Sequence, residues 1–447
     1  MKPFLIQPAL KVRGEVFLPG DKSIACRAVI ISAISQGNTL IKNFPFNQDC
    51  LSAVRVFKAL GIKIKSKNDP RDNTAEILVC GGGFYGLIKP GGPLYMGESG
   101  TTLRLSMGVL AAQKFSVSIS AGQSLSLRPM RRVTEPLRKM GAKITAKVRN
   151  KNSQEEEYPP LKIEGRPLKA LIYKIPVASA QVKSAILLAG LYAQGKTYLS
   201  EPISTRDHTE RMLRFFGADI KFGRGIIEML PVEKLVSPDK LHIPGDISSA
   251  GFFMVMAAIL AHSSVTIRKA GLNPARIGLI EALKKMGADI KIIRRQEEAW
   301  GYEPVGDIIV RSSLLKGIVI DRTQVPSLID ELPVLMVAAS CARGETVLEG
   351  VGELRVKETD RISSMQENLA RMGVDIRVCR KKDREDIIIR GAGCLRAAKL
   401  RSFGDHRTAM SMIVAGLKAR GQSSIDDISC INKSFPGFLS ILKALRH

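Results

Sequence analysis

Five segments of the chain share one pattern of apolar and polar positions. In order from residue 58 they read KALGIKIKS, RKMGAKITA, RFFGADIKF, KKMGADIKI and ARMGVDIRV. An apolar helix end before Gly is typical of a left-handed helix terminus. The alternation that follows Gly predicts a strand. Five copies predict a repeated αβ unit.

A longer repeat divides the chain into two halves. LPGDKSIACRAVIISAI (18–34) is similar to IPGDISSAGFFMVMAAI (243–259). Pro-Gly-Asp followed by Ser predicts a turn and then a helix N-terminus. The repeat predicts two similar α/β domains, each with about three strand–helix units. The chain is expected to cross between them at the Pro-Gly pairs.

The first copy of this long repeat carries two cations that the second lacks. Lys22 matches Ile247, and Arg27 matches Phe252. We interpret the second copy as a plain buried helix start, so the scaffold does not need these charges. One explanation is structural, because long basic side chains often lie along apolar surface with their charged ends in water. A helix N-terminus also attracts anions, so Lys22, Ser23 and Arg27 predict a phosphate or carboxylate site.

Composition narrows the ligand class. The 447 residues are 45% hydrophobic and only 5% aromatic, which predicts aliphatic cores. The net charge of +26 favours anionic partners such as nucleic acid, an acidic membrane surface or phosphorylated metabolites. The basic residues are spread along the chain without interleaved aromatic residues, which disfavours single-strand binding. Seven Cys without a close C-x-x-C pair, and five His, predict no zinc site and a reducing cytoplasm.

Other polar residues interrupt apolar stretches, and each has a structural alternative. Ser179 and Gln181 could contact a ligand or could cap a helix. Lys357 and Arg361 are four residues apart and would share a helical face, either at a site or on a solvated, salt-bridged surface. Residues 324–340 predict one apolar helix that contains Asp330 and Glu331. A carboxylate in such surroundings should have a perturbed pKa and is a site candidate; the alternative is a surface carboxylate paired with a cation. The remaining candidates are Glu331, Glu358, Gly100, Arg104, Arg128, Arg407 and Lys433. Together they predict a cationic cleft with one or two carboxylates.

Nine motifs of this chain resemble one family. In order they are LPGDKSIACRA, GESGTTLR, LRPMRRV, ASAQVKSAILLAGL, TRDHTERML, SLIDELPVL, ELRVKETDRI, DHRTAMS and KSFP. They are similar to the motifs of the 5-enolpyruvylshikimate-3-phosphate synthases and span nearly the whole chain.

The resemblance implies an α/β fold of two similar domains, each of three βαβαββ units with buried helices and outer sheets, an inverse α/β barrel. Residues 21–244 would bind mainly shikimate-3-phosphate. Residues 1–20 plus 245–447 would contribute acid–base and phosphoenolpyruvate-binding groups, and the active site would lie in the cleft between the domains.

The resemblance also implies the reaction. The enolpyruvyl group of phosphoenolpyruvate moves to the 5-hydroxyl of shikimate-3-phosphate by addition–elimination, and phosphate is released. No metal or organic cofactor is implied. The protein would be a cytoplasmic monomer of the shikimate pathway, acting on small molecules without nucleic acid or membrane partners.

Residue roles carry over by motif. Asp330 resembles the base that takes the 5-hydroxyl proton, Glu358 the acid that protonates the phosphoenolpyruvate methylene, and Lys22 a catalytic cation. The implied shikimate-3-phosphate ligands are Lys22, Ser23, Arg27, Ser179, Ala180, Gln181, Arg206, Asp330 and Lys357. The implied phosphoenolpyruvate ligands are Lys22, Gly100, Arg128, Gln181, Arg361, Arg407 and Lys433.

Three positions are compared with the residues that the family carries there. Glu98 stands where the family usually has Asn, and Cys26 where Asn or His is common; a carboxylate at position 98 would repel a phosphate unless it is paired. Glyphosate occupies the phosphoenolpyruvate site in this family, and tolerant relatives often carry Ala at the position of Gly100. The Gly of this chain therefore predicts inhibition.

Two other functions are alternatives to the synthase activity that the resemblance implies. One is the related enolpyruvyl transferase that acts on UDP-N-acetylglucosamine. That enzyme carries a Cys on a mobile loop, whereas SLRPMRR has no Cys. The other is a nucleic-acid binder, which would show steep salt dependence and no turnover.

Overall fold

The chain forms two compact units. The computed structural model describes residues 3–69, 74–151, 154–295, 301–381 and 384–446. The first unit contains residues 19–244 and 301–303, and the second contains residues 3–18, 245–295 and 304–446. Compared with the division drawn from the sequence, residues 19, 20 and 301–303 belong to the first unit instead of the second.

Strands and short helices alternate along both units. The strands are β1 (Phe4–Ile6), β2 (Arg13–Phe17), β3 (Gln36–Pro45), β4 (Lys63–Asp69), β5 (Thr74–Gly82), β6 (Leu94–Tyr95), β7 (Ser116–Ser120), β8 (Lys143–Lys151), β9 (Gln154–Glu164), β10 (Leu168–Lys169), β11 (Ile172–Lys174), β12 (Ala193–Gln194), β13 (Thr197–Ser200), β14 (Ile220–Gly223), β15 (Ile226–Met229), β16 (Lys240–His242), β17 (Ser264–Gly271), β18 (Asp289–Arg295), β19 (Val305–Arg311), β20 (Val319–Ile320), β21 (Glu345–Leu348), β22 (Asp375–Arg380), β23 (Glu385–Arg390), β24 (Lys399–Leu400) and β25 (Ser423–Ile425). The helices are α1 (Lys22–Ala33), α2 (Gln48–Ala59), α3 (Gly100–Leu110), α4 (Arg131–Lys139), α5 (Ala180–Gly190), α6 (His208–Phe215), α7 (Ile247–Ile259), α8 (Gly278–Lys285), α9 (Val325–Leu328), α10 (Leu332–Cys341), α11 (Arg361–Arg371), α12 (His406–Lys418) and α13 (Phe438–Leu445).

One sheet pattern recurs in the first unit. Its four-stranded sheets have the orders β16-β3-β5-β4, β6-β7-β9-β8 and β11-β13-β15-β14. In each sheet the first two strands are parallel and the remaining pairs antiparallel. Two helices complete each βαβαββ unit, and β16 returns from the end of this stretch to complete the first sheet.

The second unit repeats the pattern. Its sheets have the orders β2-β17-β19-β18, β20-β21-β23-β22 and β24-β25-β1. The strand β2 precedes the first unit along the chain but pairs in parallel with β17, which follows it. Likewise β1 pairs with β25 near the other end of the chain. The inverse α/β fold expected from the sequence is confirmed, although the sheet β24-β25-β1 has three described strands where the other units have four.

The five short sequence repeats coincide with the second helices of five units. The helices α2, α4, α6, α8 and α11 each end just before a Gly with positive φ, between 84° and 104°, at Gly61, Gly141, Gly217, Gly287 and Gly373. A side chain is disfavoured in this conformation, so Gly turns the chain from helix into strand. The helix–Gly–strand prediction is confirmed.

The cores consist of the first helix of each unit. Every residue of α7 is buried, as are nearly all residues of α1, α3, α5, α10 and α12. These helices are buried on nearly every side and are apolar apart from a few buried polar residues, which is typical of enclosed helices. The sheet strands instead alternate, as β5 does with every second residue buried along its first six positions. The helices therefore lie inside and the sheets outside.

Two local predictions were wrong. The stretch 324–340 is not one helix, because α9 ends at Leu328 and α10 begins at Leu332, so Asp330 lies in the break between them. Pro333 favours this break because proline fits the first turn of a new helix but not a helix interior.

The second correction concerns Lys357 and Arg361, which do not share a helical face. Gly352–Val356 forms a 3-10 turn, Lys357 is extended, and α11 begins only at Arg361. Asp360 caps α11 by accepting hydrogen bonds from the backbone N–H groups of Ile362 and Ser363 at 3.1 Å each.

Candidate active site

In the first unit the predicted cations of α1 lie at its first two turns. The carboxylate of Asp21 accepts hydrogen bonds from the backbone N–H groups of Ser23 at 2.7 Å and Ile24 at 3.0 Å. These N–H groups, expected to attract an anion, already have an acceptor. Anion binding at this helix start must therefore depend on side chains.

Lys22 is held by a neighbouring helix. Its Nζ lies 2.8 Å from Oδ2 of Asp49 on α2, and both side chains are about one-fifth exposed. The ammonium group is therefore fixed in place and still reaches solvent. Sequence reasoning missed Asp49, because nothing in its local pattern separates it from an ordinary acidic residue in a first helical turn.

Arg27 is buried in a cage of hydrogen-bond acceptors. Its guanidinium donates to Thr209 Oγ1 at 2.7 Å, Ser184 Oγ at 3.0 Å and the carbonyl oxygen of Ser23 at 2.8 Å. Burial, and then the nearby guanidinium of Arg206, lower the pKa of Arg27 to about 10. The group remains charged at neutral pH.

Arg206 completes what we call the α1 cluster: Lys22, Ser23, Arg27 and Arg206. Its Nη1 donates to Ser23 Oγ at 3.3 Å. Two guanidiniums close enough to disfavour each other's charge are stabilised by an anion between them. The structure thus brings together four of the residues that the sequence assigned to one phosphate-bearing substrate.

A second group lies at the starts of α3 and α5. Arg104 Nη1 donates to Gln181 Oε1 at 2.5 Å, and Gln181 Nε2 donates to Thr101 Oγ1 at 3.0 Å. A Cβ built on Gly100 would lie 3.3 Å from Arg104 Nη1 and 3.5 Å from Arg128 Nη1. We call Gly100, Arg104, Arg128 and Gln181 the α3–α5 cluster. Sequence reasoning noted Arg104 but did not assign it to the site.

Ser179 and Ala180 begin α5 beside this cluster. The hydroxyl of Ser179 accepts from the backbone N–H of Val182 at 3.5 Å, so the capping alternative is realised in the structure. Ala180 is the first residue of α5. One turn further, Lys183 is buried between Glu201 at 2.8 Å and Glu210 at 2.7 Å, which anchors the helix.

Glu98 has a structural role. Its carboxylate accepts hydrogen bonds from the backbone N–H of Leu125 at 2.7 Å and of Ser124 at 3.3 Å. These residues begin the short 3-10 turn Leu125–Leu127, after which Arg128 follows directly. The carboxylate therefore holds the turn that carries Arg128.

We expect Glu98→Ala to lower the free energy of unfolding by about 1–3 kcal/mol, because it leaves backbone N–H groups without an acceptor. Urea unfolding measures the loss. Glu98→Gln keeps an acceptor oxygen and should lose less. Equal losses in both variants would contradict the role of the hydrogen bonds.

In the second unit one guanidinium joins three carboxylates. Arg361 Nε donates to Asp405 Oδ2 at 3.0 Å, and Nη2 donates to Glu358 Oε2 at 2.5 Å. Its Nη1 lies 3.6 Å from Asp330 Oδ1. The two carboxylates predicted to act as base and acid thus lie on one buried arginine.

The charge of Arg361 is strongly favoured. Burial alone would lower its pKa, but Asp405, Glu358 and Asp330 outweigh burial and hold the pKa above its usual value. Asp405 is fully buried and also caps α12, accepting from the N–H groups of Arg407 at 2.8 Å and Thr408 at 2.9 Å. Sequence reasoning missed Asp405, which DHRTAMS places just before the helix.

Arg407 completes what we call the Arg361 cluster: Asp330, Glu358, Arg361, Asp405 and Arg407. Arg407 is buried, and its Nη1 lies 3.9 Å from Glu331 Oε1. Lys357 precedes Glu358 at the end of the 3-10 turn. Lys433 is exposed at the end of another 3-10 turn, and no contact within the described ranges joins it to this cluster.

The described ranges contain neither a metal-binding cluster nor a membrane-spanning helix. Among residues 3–69, 74–151, 154–295, 301–381 and 384–446, no group of three or more His, Cys, Asp or Glu could hold a metal ion. In the same ranges no helix is both long and apolar enough to cross a membrane. All seven Cys carry free thiols.

Comparison with a solved structure shows the fold that this chain shares. The enolpyruvyl transferase NikO from Streptomyces tendae has the same fold, with a TM-score of 0.74 over 99% of this chain and 97% of that chain at 16% identity. The chain belongs to the EPSP synthase (3-phosphoshikimate 1-carboxyvinyltransferase) family, whose model matches residues 6–442.

Several relatives are similar over their full length. The 3-phosphoshikimate 1-carboxyvinyltransferases of Desulforamulus reducens and Geotalea uraniireducens are 44% and 45% identical, over 98% and 99% of both chains respectively. The structure of the EPSP synthase of Acinetobacter baumannii has a TM-score of 0.85 at 42% identity, covering 100% of this chain and 98% of that chain. The family resemblance drawn from the motifs is confirmed.

Proposed function

We propose that this protein is a 3-phosphoshikimate 1-carboxyvinyltransferase of the shikimate pathway, which leads to the aromatic amino acids. It transfers the enolpyruvyl group of phosphoenolpyruvate to the 5-hydroxyl of shikimate-3-phosphate and releases phosphate. The observation that carries the proposal is the family match over residues 6–442, with relatives about 44% identical along their whole length.

The charges of the clusters support this pair of substrates. Shikimate-3-phosphate and phosphoenolpyruvate each carry a carboxylate and a phosphate, roughly −5 to −6 together at about −2 per phosphate. The α1 and α3–α5 clusters supply five cations. The net charge of +26 provides a favourable field for anions.

We assign the substrates to these clusters as the motifs imply. The α1 cluster binds shikimate-3-phosphate, with Ser179, Ala180, Gln181, Asp330 and Lys357. Gly100, Arg128, Arg361, Arg407 and Lys433 bind phosphoenolpyruvate, and Lys22 and Gln181 serve both substrates. Residues of both units would then be needed for the reaction.

The chemistry follows from the two carboxylates. Asp330 takes the proton of the 5-hydroxyl group of shikimate-3-phosphate as the hydroxyl oxygen bonds to C2 of phosphoenolpyruvate. Glu358 gives a proton to C3, which becomes a methyl group. The bond from C2 to the phosphate oxygen then breaks, phosphate leaves with the bonding electrons, and the carboxylate of Glu358 takes back a methyl proton as the double bond forms again. The proton held by Asp330 passes to solvent. Lys22 stabilises the departing charge.

Arg361 links binding to protonation in this scheme. In the free protein its guanidinium is paired with Glu358 at 2.5 Å. An anionic substrate that takes over Arg361 weakens this pairing. Glu358 is then able to hold the proton that it must donate.

The test is phosphate release by the purified protein. We expect release only when shikimate-3-phosphate and phosphoenolpyruvate are both present, and none when UDP-N-acetylglucosamine replaces the first. Turnover with UDP-N-acetylglucosamine, or salt-sensitive DNA retention without turnover, would overturn the proposal. We further propose that the protein is a monomer and is cytoplasmic. Sedimentation of the purified protein tests the first statement, and fractionation of cells tests the second.

Gly100 sets the room for an inhibitor at the phosphoenolpyruvate position. An added methyl group would lie 3.3 Å from Arg104 and 3.5 Å from both Arg128 and Leu125. We expect glyphosate to compete with phosphoenolpyruvate, and Gly100→Ala to raise its inhibition constant roughly 10- to 200-fold. Inhibition constants at fixed phosphoenolpyruvate measure the effect. Equal constants would show that Gly100 does not set the size of the site.

A further inference from the structure

A buried carboxylate beside Asp330 has no role in the proposed chemistry. Glu331 is 2% exposed and precedes α10. Its Oε1 accepts hydrogen bonds from Ser248 Oγ and, at 2.9 Å, from Arg276 Nη2. Arg276 is itself 2% exposed and donates to Ser248 Oγ at 2.5 Å. The three side chains form a closed triangle inside the second unit.

The same oxygen faces a third side chain. Arg407 Nη1 lies 3.9 Å from Glu331 Oε1, which is the distance of an ion pair rather than of a hydrogen bond. Asp405 already fixes the backbone of Arg407 through its N–H. Asp405 therefore holds the beginning of this residue, and Glu331 faces the end of its side chain.

The charges explain why two buried residues are needed. A lone carboxylate next to Arg407 would neutralise it and repel an incoming anion. Arg276 compensates Glu331 at 2.9 Å, so the charge of Arg407 stays available for a substrate. The Glu331–Arg276 pair is neutral overall and still presents an oxygen that orients the Arg407 guanidinium.

We propose that Glu331, held by Arg276 and Ser248, is a positioning residue for Arg407 and thereby sets the affinity for phosphoenolpyruvate. The proposal rests on the proposed function, in which Arg407 binds that substrate. It assigns Glu331 no contact with either substrate and no proton transfer.

Kinetics of Glu331→Gln test the positioning role. The amide keeps the shape of the side chain and an oxygen for Arg276 but loses the charge that faces Arg407. We expect the KM for phosphoenolpyruvate to rise roughly tenfold, within the range for coupled neighbours. The KM for shikimate-3-phosphate and kcat should change less than about threefold. An unchanged or lower KM for phosphoenolpyruvate would overturn the proposal.

Two further variants separate positioning from general loosening. The Glu331→Gln variant leaves the positive charge of Arg276 without its carboxylate partner, and this charge repels the guanidinium of Arg407. Arg276→Met in the same background removes the repulsion, and we expect part of the phosphoenolpyruvate affinity to return. Asp307→Asn is the matched control, because Asp307 is buried and pairs with Arg268 at 2.8 Å, and neither residue is assigned to a substrate. If Asp307→Asn raises the same KM equally, the effect is structural and the proposal is wrong.

An unfolding cycle distinguishes this proposal from the proposed function. Glu331→Gln, Arg407→Gln and the double variant are unfolded in urea, without substrate. We expect the pair to be coupled by at least about threefold in the unfolding equilibrium constant. No coupling overturns the positioning contact whatever the kinetics show. Coupling in a protein that has no synthase turnover retains the contact and overturns its role in phosphoenolpyruvate binding.

Discussion

Asp330→Asn and Glu358→Gln are each expected to lower kcat by at least about 100-fold, as is typical when an acid–base group is lost. Both amides keep the size of the side chain and an oxygen that can face Arg361. That guanidinium lies 3.6 Å from Asp330 and 2.5 Å from Glu358. The loss should therefore reflect proton transfer rather than collapse of the cluster.

The measurement is phosphate release at saturating concentrations of both substrates, together with calorimetric binding of shikimate-3-phosphate to each variant. Each variant should lose a different limb of the pH–rate profile, because one group acts as a base and the other as an acid. Glu367→Gln serves as a control, since Glu367 lies on α11 in a partly exposed ion pair with Arg371 at 2.7 Å. Turnover of both site variants within a few-fold of wild type would remove these residues from the chemistry.

The fold could be predicted from sequence because its rules are local. A helix end, a Gly and an alternating strand are encoded within nine residues, and the positive φ of Gly61 or Gly287 is what that pattern requires. The break at Asp330 was missed since apolar periodicity around Pro333 suits one helix or two equally well. Sequence periodicity cannot show where a helix restarts when both pieces are buried.

The contacts of the candidate site were less predictable. The motifs contain Arg27, Gln181, Thr209 and Arg104, but they do not show that Arg27 donates to Thr209 and Arg104 to Gln181, each on another helix. Such partners are ordinary polar residues in their own local sequence. Only the packing of α1 on α6 and of α3 on α5 makes them neighbours.

The long repeat shows the same limit from another side. Ser23 and Ser248 occupy matching positions, and the second helix start was interpreted as a plain buried one. The helix start is buried as expected, but it also carries a polar contact, because Ser248 accepts from Arg276 and donates to Glu331. In the first unit the matching Ser23 accepts from Arg206. Both helix starts therefore lie beside an arginine, supplied in each case from elsewhere in the chain.

Arg361→Met is expected to cost the protein about 3–5 kcal/mol of unfolding free energy, in addition to most of its affinity for phosphoenolpyruvate. Arg361 is 1% exposed and is the shared cation of Asp330, Glu358 and Asp405. Removing one partner of a buried pair leaves an uncompensated charge, which is strongly destabilising. Asp405 cannot relax toward solvent, because it is fully buried and caps α12.

Urea unfolding of a set of variants checks this assignment. Arg361→Lys retains the charge and should lose less stability, although a single ammonium group cannot reproduce the forked contacts of a guanidinium. Arg361→Met combined with Asp330→Asn should be more stable than Arg361→Met alone, because one of the crowded carboxylates becomes neutral. Arg343→Met on the surface is the control and should change stability by less than about 0.5 kcal/mol. If Arg361→Met unfolds at the same urea concentration as wild type, the three carboxylates do not depend on this arginine.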